Sequence, residues 1–289
     1  MSSNPVRIVL LARGPADHVQ AESRELERFL KERAGIELLG VFDADDPNDQ
    51  VPDAAELVVV LGGDGAILRA CRQFGEQQRP ILGVNLGRLG FLADLSPDEF
   101  RERVGCIERR EYSVVHHLMF ECEHCTADGR SETFLGLNEV AILAAASLSM
   151  VDIELQIDDE EVTTYSGDGL IVSTPVGSTA HSLSAGGPIL RQDLQAFVIT
   201  PVCPHTLTNR PLVDDAGCAY VMRVPDAPDG VTLVIDGQIK QPFAPGDTVT
   251  VRRAPVTFQL ARIPGHSFYG TLHRKLGWSG QPHYGRPRQ

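Results

Sequence analysis

Through its first hundred residues the chain alternates short β-branched runs with amphipathic stretches, and beyond about Tyr112 that alternation stops. Val6 to Leu11, Ile36 to Phe42, Leu57 to Leu61 and Ile81 to Val84 are apolar runs of strand length. Between them, Ala16 to Arg33 sets Val19, Leu26, Phe29 and Leu30 on one helical face, and Ile67, Leu68, Cys71 and Phe74 share a side after Leu61. Ser96-Pro97-Asp98-Glu99 reads as a helix start, with Ser96 capping, Pro97 in the first turn and Glu99 completing a capping box. Strand–helix repetition of this kind implies an α/β domain with an open parallel sheet. From Tyr112 onward the segments are short, β-type and separated by turn residues such as Asp128-Gly129, Pro228-Asp229-Gly230 and Pro245-Gly246-Asp247. Thr133 to Leu143 reads as one strand, and Thr248 to Arg252 and Thr257 to Ala261 as two. The expected architecture is an α/β N-terminal domain over residues 1–110, a β-rich C-terminal domain over 111–275 and a tail over 276–289. The active site is expected in the interdomain cleft.

Composition narrows the function classes. Apolar residues are 42% and charged residues 22% of the 289, an ordinary globular mix that excludes wholesale disorder. The 26 basic and 39 acidic side chains leave a net charge of −13, which argues against sequence-independent nucleic-acid binding. An anionic ligand must therefore be held by backbone amides, helix ends or a metal. The longest apolar candidate for a membrane span, Val140 to Val151, is short and broken by Ser147 and Ser149, so no membrane partner is expected. Met1 to Arg13 lacks the basic flank and long apolar core of a signal peptide, and six cysteines without a regular framework suit a reducing, cytoplasmic setting. Cys122 and Cys125, beside His116, His117 and His124, lack a second ligand pair at zinc spacing and read as a hairpin end.

Two glycine-rich clusters carry the chemistry. The strand Leu57 to Leu61 runs into Gly62-Gly63-Asp64-Gly65 and then a helix. Glycines there allow close backbone approach to a ligand, and the helix end favours an anion. Neither the Walker loop nor the dinucleotide fingerprint is present. Asp64 would repel a phosphate unless it holds a metal or takes a proton from an attacking hydroxyl; the alternative is a helix N-cap. The second cluster, Ser166 to Pro188, is too rich in hydroxyls and glycines for a core and suits phosphate or ribose binding without added positive charge. Asn138-Glu139 could read an adenine edge or ribose hydroxyls, or cap a strand end.

Gly62-Gly63-Asp64-Gly65, Gly87-Arg88-Leu89-Gly90-Phe91-Leu92, Asn138-Glu139, Gly167-Asp168-Gly169-Leu170, Gly177-Ser178-Thr179-Ala180 and Asp236-Gly237-Gln238 occur in the order found in NAD kinases. Over residues 55 to 275 the chain resembles that family. The GGDG element alone is shared with diacylglycerol and sphingosine kinases, whose membrane-seeking basic surface the acidic balance opposes. The resemblance implies ATP-dependent phosphorylation of the 2′-hydroxyl on the adenosine ribose of NAD, giving NADP. It implies Asp64 as the proton acceptor with Gly65 beside it, and Asn138 and Glu139 on the adenosine part of NAD. It also implies Asp168 toward the nicotinamide side, Thr179, Ala180, His181, Ser182, Leu183 and Ser184 lining the nucleotide pocket, and Gln238 closing it. Arg69, one helical turn past the GGDG, is a candidate phosphate contact, its alternative being a solvated helix face. The family's habits imply a divalent cation such as Mg²⁺, with no metal-ligating residue assigned here, and a homodimer or homotetramer. Two positions depart from its pattern. Ser149 stands where His or Arg is common, and Ser166 where Arg or Lys often precedes Gly167.

Overall fold

The computed structural model describes residues 4–12, 17–43, 51–144, 150–206 and 208–277. In its first part, β1 (Val6–Ala12), α1 (Asp17–Lys31), β2 (Ile36–Asp43), β3 (Leu57–Leu61), α2 (Asp64–Phe74), β4 (Ile81–Val84) and α3 (Pro97–Glu108) alternate as the sequence implies. The strands lie in the order β2-β1-β3-β4, all parallel. β3 is buried along its whole length because helices cover both faces. Leu57, Val59 and Leu61 pack with Leu26 and Leu30 of α1 and Phe100 of α3. Val58 and Val60 point the other way, onto Ile67 and Cys71 of α2. α3 starts at the capping box read from the sequence: Ser96 Oγ accepts from the Glu99 amide at 3.2 Å, and Glu99 accepts from the Ser96 amide at 2.8 Å.

The second part holds β5 (Ser113–Cys125), β6 (Ser131–Gly136), β7 (Glu139–Leu143), β8 (Val151–Ile157), β9 (Glu160–Gly167) and β10 (Gly169–Ser173). A 3₁₀ turn (Gly177–Thr179) and the short α4 (His181–Ser184) follow, then β11 (Ala196–Val202), β12 (Leu212–Asp215) and β13 (Tyr220–Arg223). β14 (Thr232–Ile235), β15 (Ile239–Pro242), β16 (Thr248–Arg262) and α5 (Phe268–Leu276) complete the chain. An antiparallel six-stranded sheet runs β12-β11-β10-β7-β14-β15. It faces β5, β8, β13 and β16 across a core that includes Phe120, Ile142, Val172, Phe197, Tyr220 and Val251.

Two sequence expectations need correction. Thr133 to Leu143 is not one strand: β6 pairs with β5 in the first sheet, and β7 pairs with β10 and β14 in the second. The chain changes sheets at Leu137 and Asn138. The segments at 248–252 and 257–261 are one strand, β16, whose register against β5 shifts between Arg253 and Thr257. Pro255 sits inside that irregularity, the place where a strand tolerates a residue without an N–H. The far end of β16 pairs in parallel with β4, Leu260 opposite Ile81, so the last strand extends the first sheet. β9 is polar, and its exposed residues make one edge of the ten-stranded sheet. Among the described residues no helix is long and apolar enough to cross a membrane.

Candidate active site

The site grows from the end of β3. Gly62 takes φ 144°, a conformation closed to L side chains, and turns the chain into α2 with Gly63 as its N-cap. Asp64 is the first helical residue, and its side chain does not cap the helix. Its carboxylate instead reaches the glycine-rich loop after β4. Oδ2 accepts from the Phe91 amide at 2.8 Å, and Oδ1 accepts from the Leu92 and Ala93 amides, each at 3.0 Å. This answers the alternative left open by the sequence: the N-cap reading fails, and the carboxylate is a half-buried group held in one orientation by three backbone donors. The loop that supplies them is itself fixed. Asn85 Nδ2 donates to the carbonyl oxygens of Arg88 and Ala93, and Asn85 Oδ1 accepts from the Gly87 amide. Gly90 has to lack a side chain, because a Cβ there would lie 2.0 Å from Asp64 Oδ1.

A second carboxylate, Asp236, does for the sheet-changing segment what Asp64 does for the 91–93 loop. It sits in the β14–β15 turn at φ 49° with its side chain fully buried. Its oxygens accept from the amides of Leu137, Asn138 and Glu139, at 2.7 Å for Asn138. Arg72 of α2 pairs with it, Nη1 to Oδ2 at 2.9 Å. Burial pushes the Asp236 carboxyl above the usual carboxylate range, against the pull of Arg72 and the amides. Arg72 also donates to Gln238 Oε1, and Gln238 Nε2 donates to the Gly65 carbonyl at 2.9 Å. One bonded chain thus joins the GGDG helix, the Asn138-Glu139 step and the Asp236-Gly237-Gln238 turn.

The hydroxyl-rich cluster is tied to the same step. Thr174 Oγ1 donates to the Leu137 carbonyl and the Thr174 amide to the Asn138 carbonyl. Gly177 packs so closely that a Cβ would lie 2.0 Å from Asn138 O, which accounts for the glycine. Beyond it, the His181 amide donates to the Glu139 carboxyl. Burial, helped by the nearby Asp236 carboxylate, raises the Glu139 carboxyl to about 8, while the His181 amide works to lower it. One Glu139 oxygen, Oε2, is buried with no hydrogen-bond partner. Ser182 Oγ shares a hydrogen bond with Thr200, and Thr179 Oγ1 donates to the Val176 carbonyl. Burial also lowers the His181 imidazole.

Of the residues singled out in the sequence, Gly65, Asn138, Glu139, His181 and Gln238 are joined in this network, Asp64 precedes Gly65 and bonds the 91–93 loop, and Thr179, Ala180, Ser182, Leu183 and Ser184 belong to the loop and short helix around His181. Asp168 stands apart between β9 and β10, exposed, with its carboxylate on the Cys203 thiol. Arg69 is half-buried on α2, three residues before Arg72. Ser166 donates to Asp152, and Ser149 lies outside the described residues. Arg72 and Asp236 are the structural partners that the sequence reading left out. Asp236 stood beside Gln238 in a quoted motif, and Arg72 lies two helical turns from Asp64, so both left a signal. Among the described residues no group of three His, Cys, Asp or Glu side chains is placed to hold a metal ion. Cys122 is buried, Cys125 donates to Ser131 Oγ, and His124 stacks on Phe243 while bonding Asp247.

A parallel sheet ending in a glycine turn, bonded through Gln238 to a β-sandwich that carries a hydroxyl-rich segment, suits a nucleotide-handling phosphotransferase. Residues 15–112 match the family model described as the ATP-NAD kinase N-terminal domain, and residues 137–263 that of the C-terminal domain. The chain belongs to the NAD kinase family. The NAD kinase of Rhodopirellula baltica is 45% identical over 277 residues, covering 96% of this chain and 88% of that one. That of Chromohalobacter salexigens is 38% identical over 260 residues, with coverages of 90% and 89%. The fold is shared with a crystal structure of yeast NADH kinase complexed with NADH (TM-score 0.83, 24% identity, 99% and 91% covered). It is also shared with an NAD kinase from Archaeoglobus fulgidus in complex with ATP (TM-score 0.75, 26% identity, 94% and 100% covered).

Proposed function

We propose that Asp64 takes the proton from the 2′-hydroxyl of the adenosine ribose of NAD as the γ-phosphoryl group of ATP arrives, in an enzyme whose family makes NADP. The observation that carries this reading is the triple amide cradle on a half-buried carboxylate at a glycine turn. Oδ2 receives only one of the three amides and keeps an acceptor direction for a hydroxyl proton. In the step, the ribose oxygen forms a bond to phosphorus, the bond from phosphorus to the β,γ-bridging oxygen breaks, and ADP leaves. The proton passes from ribose to Asp64 and then to solvent. A ribose hydroxyl is far less acidic than a carboxylic acid, so proton removal accompanies attack rather than preceding it, contributing about 10²- to 10⁴-fold. Alignment of the two substrates and backbone donors at the helix end supply the rest.

Asn138 and Glu139 hold the adenosine part of NAD, and Thr179 to Ser184 line the nucleotide pocket. Asp168 faces the nicotinamide side, Gln238 closes the pocket through Gly65, and Arg69 meets a phosphate. The unpartnered Oε2 of Glu139 supports its part, since a buried polar atom is satisfied at little cost by a ligand. A divalent ion such as Mg²⁺ would enter with the ATP phosphates. The enzyme works as a cytoplasmic homodimer or homotetramer in NADP biosynthesis. The test is Asp64→Asn, assayed with NAD, ATP and Mg²⁺ and coupled to an NADP-specific dehydrogenase. Turnover falls by two orders of magnitude or more while dinucleotide binding persists. Retained turnover in the purified variant overturns the assignment.

A further inference from the structure

The family-model match ends at residue 263, and α5 lies beyond it. From the way α5 grips both ends of the amide triplet that holds Asp64, we infer that this helix is a positioning element for the catalytic carboxylate. The inference rests on the base role proposed for Asp64. Thr271 and Lys275 are four residues apart, so they share one face of the helix. The ammonium of Lys275 lies 4.2 Å from the centre of the Phe91 ring, and Phe91 supplies the first amide of the triplet. Thr271 Oγ1 donates to Asp94 Oδ2 at 3.3 Å, and Asp94 directly follows Ala93, which supplies the last. Phe91, Asp94 and Thr271 are buried, and Lys275 covers the Phe91 ring from the exposed side of the helix.

The same Asp94 oxygen is approached by Arg262 Nη1 at 3.6 Å and His266 Nδ1 at 3.5 Å, from the end of β16 and the turn before α5. Arg262 in turn donates to Gln192, whose carbonyl bonds the buried His117. The helix is anchored where it grips. Ser267 caps its start, accepting from the Gly270 amide, and Gly277 ends it in the left-handed conformation. Leu272 fixes it by burial. The influence of α5 on Asp64 passes through the three amide positions. A shift of the triplet by a fraction of an ångström re-aims the carboxylate without unfolding the protein.

The test compares Thr271→Val, which keeps shape and removes the hydroxyl, Lys275→Met, which removes the charge, and their combination, in the full chain. The combined variant loses between about fivefold and a hundredfold in kcat, while KM for NAD and for ATP stay within about twofold. Amide hydrogen exchange then speeds up at Phe91, Leu92 and Ala93 and not across β1 and β3, a pattern that general destabilisation does not produce. Thr271→Ser restores both readouts. Wild-type kcat with unchanged exchange at 91–93 overturns the inference, as does exchange that rises uniformly. If the combined variant fails to fold, Lys275→Met alone decides by the same two readouts, because that side chain is exposed. Asp64→Asn, measured in parallel, separates the two ideas: an active Asp64→Asn defeats the base role, whereas an inactive one beside wild-type α5 variants defeats only the helix's part.

Discussion

Gly90→Ala tests the carboxylate cradle without touching a charged group. Gly90 is not in the left-handed region, so its backbone accepts alanine and any loss arises from volume. The new Cβ would lie 2.0 Å from Asp64 Oδ1, 2.8 Å from Cγ and 2.9 Å from the Ala93 carbonyl oxygen. Side-chain carbons essentially never approach closer than 3.0 Å, so the carboxylate or the loop has to retreat by about 1 Å. The retreat stretches bonds now at 2.8–3.0 Å beyond the 3.5 Å at which they count as hydrogen bonds. Bonds to a charged group contribute about 1.5–3 kcal/mol each, and partial rebonding leaves an expected stability loss of about 2–4 kcal/mol. A misplacement of that size costs about 10²-fold in kcat, with KM for both substrates changed little. The assay is the coupled NADPH signal, with urea titration for stability. Gly87→Ala is the control in the same loop, since its Cβ meets only Asn85 Oδ1 at 3.9 Å. Wild-type kcat in a folded Gly90→Ala protein would refute the view that the triplet aims Asp64.

Arg72→Met leaves the buried Asp236 without its cation, and breaking such a pair costs about 3–5 kcal/mol. Urea midpoints should show it, and a loss under about 1 kcal/mol means that the three amides suffice. Glu139, raised to about 8 by burial, holds its proton more tightly folded than unfolded. Its stabilising contribution is present below the ordinary carboxylate range and fades as pH rises toward 8. Glu139→Gln should therefore match the wild type near pH 4 and exceed it in stability near pH 8; parallel pH dependence in the two proteins contradicts this.

The strand–GGDG–helix was readable because it is local: an apolar run, glycines and a helical face all lie within Leu57 to Phe74. The capping box at Ser96 was readable for the same reason. What Asp64 bonds was not, since its donors lie 27 to 29 residues onward and no periodicity marks a loop that folds back. The break at Leu137 was hidden because Thr133 to Leu143 keeps strand composition on both sides of a change of sheet. Along the chain Arg69 lies nearer to Asp64 than Arg72 does. Only the packed helix shows that Arg72 faces Asp236 and Gln238.

β16 bears on how substrates get in. Its fifteen residues are laddered to β5 along both halves, to β13 at one end and to β4 at the other. A clam-like opening about the short 109–112 connection would have to tear that spar loose on the opposite side. Such a spar favours local rearrangement of the glycine-bearing rims over a clam-like opening as the route by which nucleotides come and go.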